Sequence, residues 1–260
     1  MITTIVLTFN EEKNIENCVT SVRHLGPIIV IDSYSSDRTP SIARGLGCKV
    51  ISREFLNYSD QRNFGLNLKD ICTSWILMID ADEVLDQTAL DVLGEIEKIH
   101  PSIDGLSFQR VDMLLGKRLR FCGENKLFFP RVFRKGKVRV EREINEVYEG
   151  NISESKGVII HTPFNNGIDS WLAKHRRYAK METTVLTSSN DNLVNSSETS
   201  FRLKLKKIFF KLYFFPEVYF LYIYFFRLGF LDGVQGLLFA RMKYIYFKEI
   251  QIRRLWKTLS

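Results

Sequence analysis

Trp75-Ile76-Leu77-Met78-Ile79-Asp80-Ala81-Asp82-Glu83 is the stretch whose reading decides the fold. Five apolar residues run straight into carboxylates spaced i, i+2. A short continuous apolar run is the pattern of a strand covered on both faces, as in a parallel sheet. At the end of such a strand Asp80 and Asp82 point out of the sheet. Two hard oxygen ligands there can hold a divalent cation, which in turn can hold phosphate oxygens. The competing reading is a strand followed by a helix cap, since Asp is a favoured capping residue.

Upstream, strand and helix patterns alternate. Residues 2–9 are a β-branched run. Asn10-Glu11-Glu12 follows, with Asn10 expected to cap a helix through Arg23 and the two acids in its first turn. Ile15, Cys18, Val19 and Val22 share one face of that helix. Residues 28–31 form a second strand, closed by Asp32. A polar turn leads to a helix capped by Asp37 or Ser36. Residues 48–51 are a third strand, and 59–69 a helix carrying Gln61, Arg62 and Asn63. Such alternation predicts an α/β fold, a parallel sheet with helices on both faces. Ligands of open α/β sheets bind at the carboxyl ends of the strands. Asn10, Asp32, Asp80 and Asp82 all fall there.

The chain has neither a Gly-x-Gly-x-x-Gly turn after strand one nor a Gly-Lys-Ser/Thr loop, which removes support for dinucleotide and P-loop chemistry. A metal held by carboxylates is then the natural way to bind a diphosphate. Asp32 can accept hydrogen bonds from a base or ribose, and Arg62 can pair with phosphate.

Thr8-Phe9-Asn10-Glu11-Glu12, Val30-Ile31-Asp32-Ser33, Gln61-Arg62-Asn63 and Asp80-Ala81-Asp82-Glu83, in that order, resemble the motifs of family 2 glycosyltransferases with the GT-A fold. Within that family the chain is most similar to the lipopolysaccharide-core β-1,4-glucosyltransferase branch. The resemblance implies a Rossmann-like mixed sheet with helices on both faces, a nucleotide-sugar site and a divalent metal, Mn²⁺ or Mg²⁺. By the matching positions Thr8, Asn10, Glu11, Asp32, Arg62, Asp80 and Asp82 bind the nucleotide-sugar, and Asp82 is the metal ligand.

After a helix expected at 87–99, residues 105–161 read as the acceptor half, with strands at 105–109, 126–133, 137–140 and 158–160. Arg131 and Arg134 flank an apolar strand, either as solvated positions or in contact with phosphate. An inverting transfer needs a base to deprotonate the acceptor hydroxyl. The branch commonly shows a His-Glu pair where this chain has Asn145-Glu146. Glu146 is therefore the expected base, with Glu143 behind it. His161 closes the last strand, either as a further metal ligand or merely hydrogen-bonded. Trp171–Met181 is a helix with a solvated basic face.

The 260 residues carry a net charge of +7, unevenly spread. From residue 201 onward there are 12 lysines and arginines against three acids, and 18 of the 33 aromatic residues. A polar stretch at 187–200 separates this tail from a catalytic domain over 1–186. Lys211 and Arg227 enclose only 15 residues, with Pro216 and Glu217 among them, too few for a spanning helix. Helices lying in a membrane interface are expected instead, with Lys204, Lys206, Lys207 and Lys211 near lipid phosphates and a final helix over 234–248. A helical cap on the core or a dimer contact is the alternative. The chain opens without a signal-peptide pattern, and its four cysteines show neither metal-ligand spacing nor pairing.

These readings predict an inverting hexosyltransferase, peripheral on the cytoplasmic face of the inner membrane. It would move a sugar from a nucleotide-diphosphate donor, UDP before others, to a lipid-linked or lipopolysaccharide-type glycan. No nucleic-acid partner is expected. Rival readings are a polyprenyl-phosphate glycosyltransferase, a sugar nucleotidyltransferase and a non-catalytic membrane-bound scaffold of the same fold.

Overall fold

The computed structural model describes residues 1–123, 127–141, 146–187, 212 and 214–259. Two compact units are present, Met1–Met113 with Glu124–Asn166, and Leu114–Gly123 with Gly167–Ser260.

In the first unit, β1 (Ile2–Thr8), β2 (Ile28–Asp32), β3 (Lys49–Ser52) and β4 (Trp75–Asp80) lie parallel in the order β3-β2-β1-β4. The alternation of side chains along a strand explains why β4 is apolar throughout. Trp75, Leu77 and Ile79 join the core on one face, and Ile76 and Met78 the core on the other. Each fully buried side chain of this size contributes about 1.5–3 kcal/mol. The register pairs Thr8 with Asp32 and Leu7 with Asp80, so the strands end on one edge.

The helices here are α1 (Ile15–Val22), α2 (Thr39–Gly45), α3 (Tyr58–Leu66) and α4 (Gln87–Gly94). α1 buries Ile15, Cys18, Val19 and Val22 against the Trp75 face. α3 covers the opposite face through Leu66. It approaches closely because of Gly65, where an added Cβ would stand 2.9 Å from Met78 Cε and 3.2 Å from Ile31 Cδ1. Asn57 caps α3 through the backbone N–H of Asp60.

Beyond β4 the sheet becomes mixed. A short β5 (Glu83–Leu85), too brief to show a pattern in the sequence, leads to α4, whose cap is Asp86. α4 ends at Gly94 and a 3₁₀ turn at Ile96–Lys98 replaces the rest of the helix expected to 99. β6 (Gly105–Leu114) and β8 (Phe128–Arg134) pair antiparallel, as do β8 and β4. β11 (Ile152–His161) runs parallel to β6 and antiparallel to β5, pairing His161 with Glu83. A separate two-stranded ribbon joins β9 (Arg139–Glu141) to β10 (Val147–Glu149).

Among its described residues the second unit contains β7 (Lys117–Arg118) and is otherwise built of helices and turns. It contains α5 (Ile168–Thr187), α6 (Phe215–Leu221), a π-helical turn at Tyr222–Phe226, a 3₁₀ turn at Gly229–Asp232 and α7 (Val234–Leu259). Ala179 of α5 and Ile250 of α7 are buried together with Phe215, Tyr246 and Phe247 packed around them. α5 thus groups with the C-terminal helices, and the break between units falls after Asn166, ahead of the linker expected at 187–200. That linker (residue 187 excepted) and Lys204, Lys206, Lys207 and Lys211 lie outside the described residues. α7 continues to Leu259, past the expected end at 248, since no Gly or Pro interrupts it there. Among the described residues no helix is long and apolar enough to cross a membrane.

Candidate active site

The edge where β1, β2 and β4 end carries the residues singled out from sequence. Thr8 closes β1, and its Oγ1 is buried without a hydrogen-bond partner. The next residues do not start a helix. Asn10 has φ 55°, a left-handed conformation that Asn tolerates, and its Oδ1 accepts from the Ser36 N–H at 2.8 Å. The expected cap is therefore a turn, and α1 begins only at Ile15. Glu11 Oε2 accepts from Asn14 Nδ2 at 2.7 Å and Asn166 Nδ2 at 2.8 Å. Neither expected cap of α2 holds the cap position, which is Arg38 without a side-chain cap bond; Asp37 lies one residue earlier and accepts from the Thr39 N–H at 2.9 Å. Asp32 is buried, and its two oxygens accept from the backbone N–H and hydroxyl of Ser35. Each carboxylate oxygen keeps a second lone pair for a ligand.

A chain of alternating charge follows, with buried arginines and partly exposed Asp80 and Glu146. Arg62 Nε donates to Glu146 Oε1 at 2.8 Å, and its Nη2 donates to both oxygens of Asp80 at 3.2 Å. Arg131 Nη2 reaches Asp80 Oδ2 at 3.3 Å. The same guanidinium grips Glu83 with two bonds of 2.7 Å. Glu83 in turn accepts from the Asp80 backbone N–H at 3.1 Å. Burial disfavours both guanidinium charges, but the facing carboxylates outweigh it and hold both arginines firmly protonated. The Arg62 Nη1 is buried with no hydrogen-bond partner. A buried cationic N–H with spare capacity is a natural donor to phosphate oxygen.

Arg131 is thus not a solvated residue; it is 3 % exposed and ion-pairs with Glu83 and Asp80. Arg134 is structural too. Its guanidinium lies 4.2 Å above the Trp75 ring and donates to the carbonyls of Ile103 and Ile99.

Two residues past Asp80, Asp82 is 5 % exposed, with Oδ2 3.4 Å from His161 Nε2. The other ring nitrogen of His161 lies 2.8 Å from Asp112 Oδ1. Burial pushes His161 down, but Asp82 and Asp112 outweigh it and lift its pKa to about 9. Cys18 is buried nearby. Burial first, then Glu83, Asp82 and Asp80, drive its thiol far up.

Among the described residues no group of three or more His, Cys, Asp or Glu side chains is placed to enclose a metal ion. Asp82 and His161 offer two donors on one side. One carboxylate and one imidazole, once His161 has given up the Nε2 proton that faces Asp82, suit a divalent ion whose other positions go to phosphate oxygens and water. The pair fits such an ion, and Asp112 orients the imidazole as a hydrogen-bonded carboxylate does in known metal sites.

The glycosyl transferase family 2 model matches residues 3–134, which span β1 through β8 and the acidic stretch. The chain belongs to glycosyl transferase family 2. It is 25 % identical over 253 residues to the lipopolysaccharide core biosynthesis glycosyltransferase LpsC of Rhizobium meliloti, covering 90 % of this chain and 87 % of LpsC. It is 31 % identical over 164 residues to an uncharacterized glycosyltransferase of Rickettsia typhi, covering 60 % of this chain but 54 % of that protein's length. Among solved structures it resembles the mannosyltransferase of Pyrobaculum calidifontis in complex with GDP-Man and Mn²⁺, with TM-score 0.54, 13 % identity and coverage of 98 % and 87 %. The mixed sheet flanked by helices is the GT-A fold of this family.

Within this family 2 chain, the structure joins Arg62, Asp80 and Glu146 in one ion-paired cluster and sets Asp82 against His161. Glu143 and Asn145 lie outside the described residues. The sequence alone assigns no role to Glu83 or Asp112 and misses the pairing of Arg131 with Glu83. Glu83 directly follows the acidic pair, but its partner Arg131 is 48 residues away, and only the register of β8 brings it there. Asp112 sits mid-strand, and only its pairing with His161 across β6 and β11 gives it a role.

Proposed function

We propose that this chain transfers a hexose, with inversion, from a nucleotide-diphosphate sugar to a lipid-linked or lipopolysaccharide-type glycan. The observation that carries the proposal is the Glu146–Arg62–Asp80 cluster beside Asp82 and His161 at the carboxyl edge of the sheet. Thr8, Asn10, Glu11 and Asp32 border the nucleotide. Asp32 keeps lone pairs for a ribose or base, and Arg62 offers Nη1 to the diphosphate.

Asp82 and His161 would hold a divalent cation, whose charge would offset the charge developing on the leaving diphosphate. Glu146 accepts the proton of an acceptor hydroxyl. That oxygen forms the new bond to the anomeric carbon as the carbon–oxygen bond to the diphosphate breaks on the opposite side. One displacement turns an α-linked donor into a β-linkage. Arg62, bonded to both Glu146 and Asp80, ties the base to the nucleotide side.

The glycan acceptor is favoured by the similarity to LpsC over 90 % of the chain. A nucleotide-diphosphate donor and Mn²⁺ accord with the GDP-Man and Mn²⁺ held by the Pyrobaculum enzyme of the same fold; UDP is the nucleotide that the motif resemblance implies first. The basic, aromatic residues 201–260 favour a peripheral place at the cytoplasmic side of the inner membrane. The test is incubation with UDP- and GDP-sugars and Mn²⁺, followed by assay of the released products. Free nucleoside diphosphate supports the proposal. Pyrophosphate would instead mean nucleotidyl transfer, and no product from any donor would favour a scaffold.

A further inference from the structure

The second unit gathers two segments far apart in sequence. The Asp232 carboxylate is 1 % exposed and accepts from the backbone N–H groups of Arg120, Phe121 and Cys122 at 2.9, 2.9 and 3.0 Å. The Asp232 carbonyl accepts from Lys117 Nζ at 2.8 Å, and Arg227 Nη2 donates to the Gly123 carbonyl at 2.7 Å. The hairpin at 114–123 and the turns at 222–233 are thereby one structural piece.

This piece exposes large apolar side chains. Leu115 is 73 % exposed, Phe226 82 % and Val234 78 %, and Phe225, Leu228, Phe230 and Leu231 are exposed as well. Leu115 and Leu228 hold left-handed φ values of 50° and 58°. Glycine would hold them without strain. Leucine there costs free energy and marks positions where the side chain is wanted outside.

The exposed charge on these two segments has one sign. Lys117, Arg118 and Arg120 are exposed on the hairpin, and Arg227 lies between the turns. The single acid of both segments, Asp232, is buried and consumed by backbone N–H groups. On these two segments the exposed charged side chains are all cationic, and an apolar patch so rimmed matches a lipid surface with anionic headgroups.

We propose that the hairpin tip at Leu115–Arg120 and the turns at Phe225–Val234 form one membrane-docking surface for anionic phospholipid. Phe226, Leu231 and Val234 enter the acyl boundary, while Lys117, Arg118 and Arg120 meet headgroup phosphates. This deepens the peripheral-membrane part of the proposed function and adds a segment outside the C-terminal tail. Asp232 acts as the clamp that holds both segments to the same surface.

The test is cosedimentation of the full chain with vesicles of phosphatidylcholine alone and of equimolar phosphatidylcholine and phosphatidylglycerol, at low and high salt. The wild type should bind the anionic vesicles and release them at high salt. Phe226→Glu with Leu231→Glu should weaken binding by about tenfold or more, because two exposed apolar anchors are lost. Arg118→Glu should weaken it by about tenfold, because a charge near the headgroups is reversed. Both variants change exposed residues and should melt as the wild type does. As a second readout, Phe226→Trp should shift its emission to shorter wavelength on anionic vesicles. Wild-type binding that all variants retain, with no emission shift, would overturn the docking surface and leave membrane binding by another part of the tail. No binding by the wild type would overturn both. Concentration-dependent dimerisation lost in Phe226→Glu/Leu231→Glu, without vesicle binding, would give the surface to a second copy of this chain.

Discussion

Arg62 Nε lies 2.8 Å from Glu146 Oε1 while Nη2 of the same guanidinium holds both oxygens of Asp80 at 3.2 Å. One buried arginine therefore connects the candidate base to the candidate diphosphate side. Glu146→Gln keeps the shape and a hydrogen-bonding oxygen but loses the proton acceptor. It is expected to lower kcat by about 10²–10⁴-fold. Nucleotide affinity should change little, which calorimetry on the same preparation checks.

Arg62→Lys tests the fork itself. A lysine keeps the charge but cannot serve Glu146, Asp80 and a phosphate at once with planar geometry. Hydrogen bonds to charged groups contribute about 1.5–3 kcal/mol each. Nucleotide diphosphate affinity should fall by roughly 10–100-fold. The corresponding nucleoside without phosphate, if it binds measurably, should be affected less.

Arg131 is predicted to act on stability first. Its guanidinium is 3 % exposed and faces Glu83, which is 1 % exposed. Arg131→Met strands a buried carboxylate and should cost about 3–5 kcal/mol. Adding Glu83→Gln should recover part of that loss. Urea unfolding of the single and double variants measures both; equal losses would contradict the buried-pair account.

Asp232 gives a pH dependence with a defined sign. Burial raises its pKa, but the three backbone N–H groups and the Cys122 thiol outweigh burial and hold it below the usual carboxylate value. A depressed folded-state pKa contributes stability that is complete above the unfolded value, about 3.9, and is lost as pH falls through the folded value. Asp232→Asn should therefore be less stable than wild type at neutral pH. The gap between the two should narrow below about pH 4. Melting temperatures across that range check the sign.

Local chemistry made the first half of the site readable. β4 is apolar on both faces, and strand ends in a parallel sheet share one edge, so Asp32, Asp80 and Asp82 could be placed from sequence. What sequence could not supply was long-range pairing. Sequence leaves Arg131 between a solvated position and a phosphate contact; it falls where the register of β8 against β6 shifts, between Pro130 and Val132, and pairs with the buried Glu83. Asn10 looked like a cap because Asn favours both caps and left-handed turns, and only its bond to Ser36 decides between them. Asp232 closes a 3₁₀ turn, and its three N–H donors lie some 110 residues upstream, beyond the reach of any local pattern.

Calorimetric titration of UDP and GDP, with and without Mn²⁺, on wild type and Asp82→Ala tests the central claim most directly. The account predicts diphosphate binding that Mn²⁺ strengthens in the wild type and that loses this dependence in Asp82→Ala. Binding that is indifferent to Mn²⁺ and to the substitution would contradict the role of Asp82. Folded protein that binds neither nucleotide would contradict the nucleotide-sugar site as a whole.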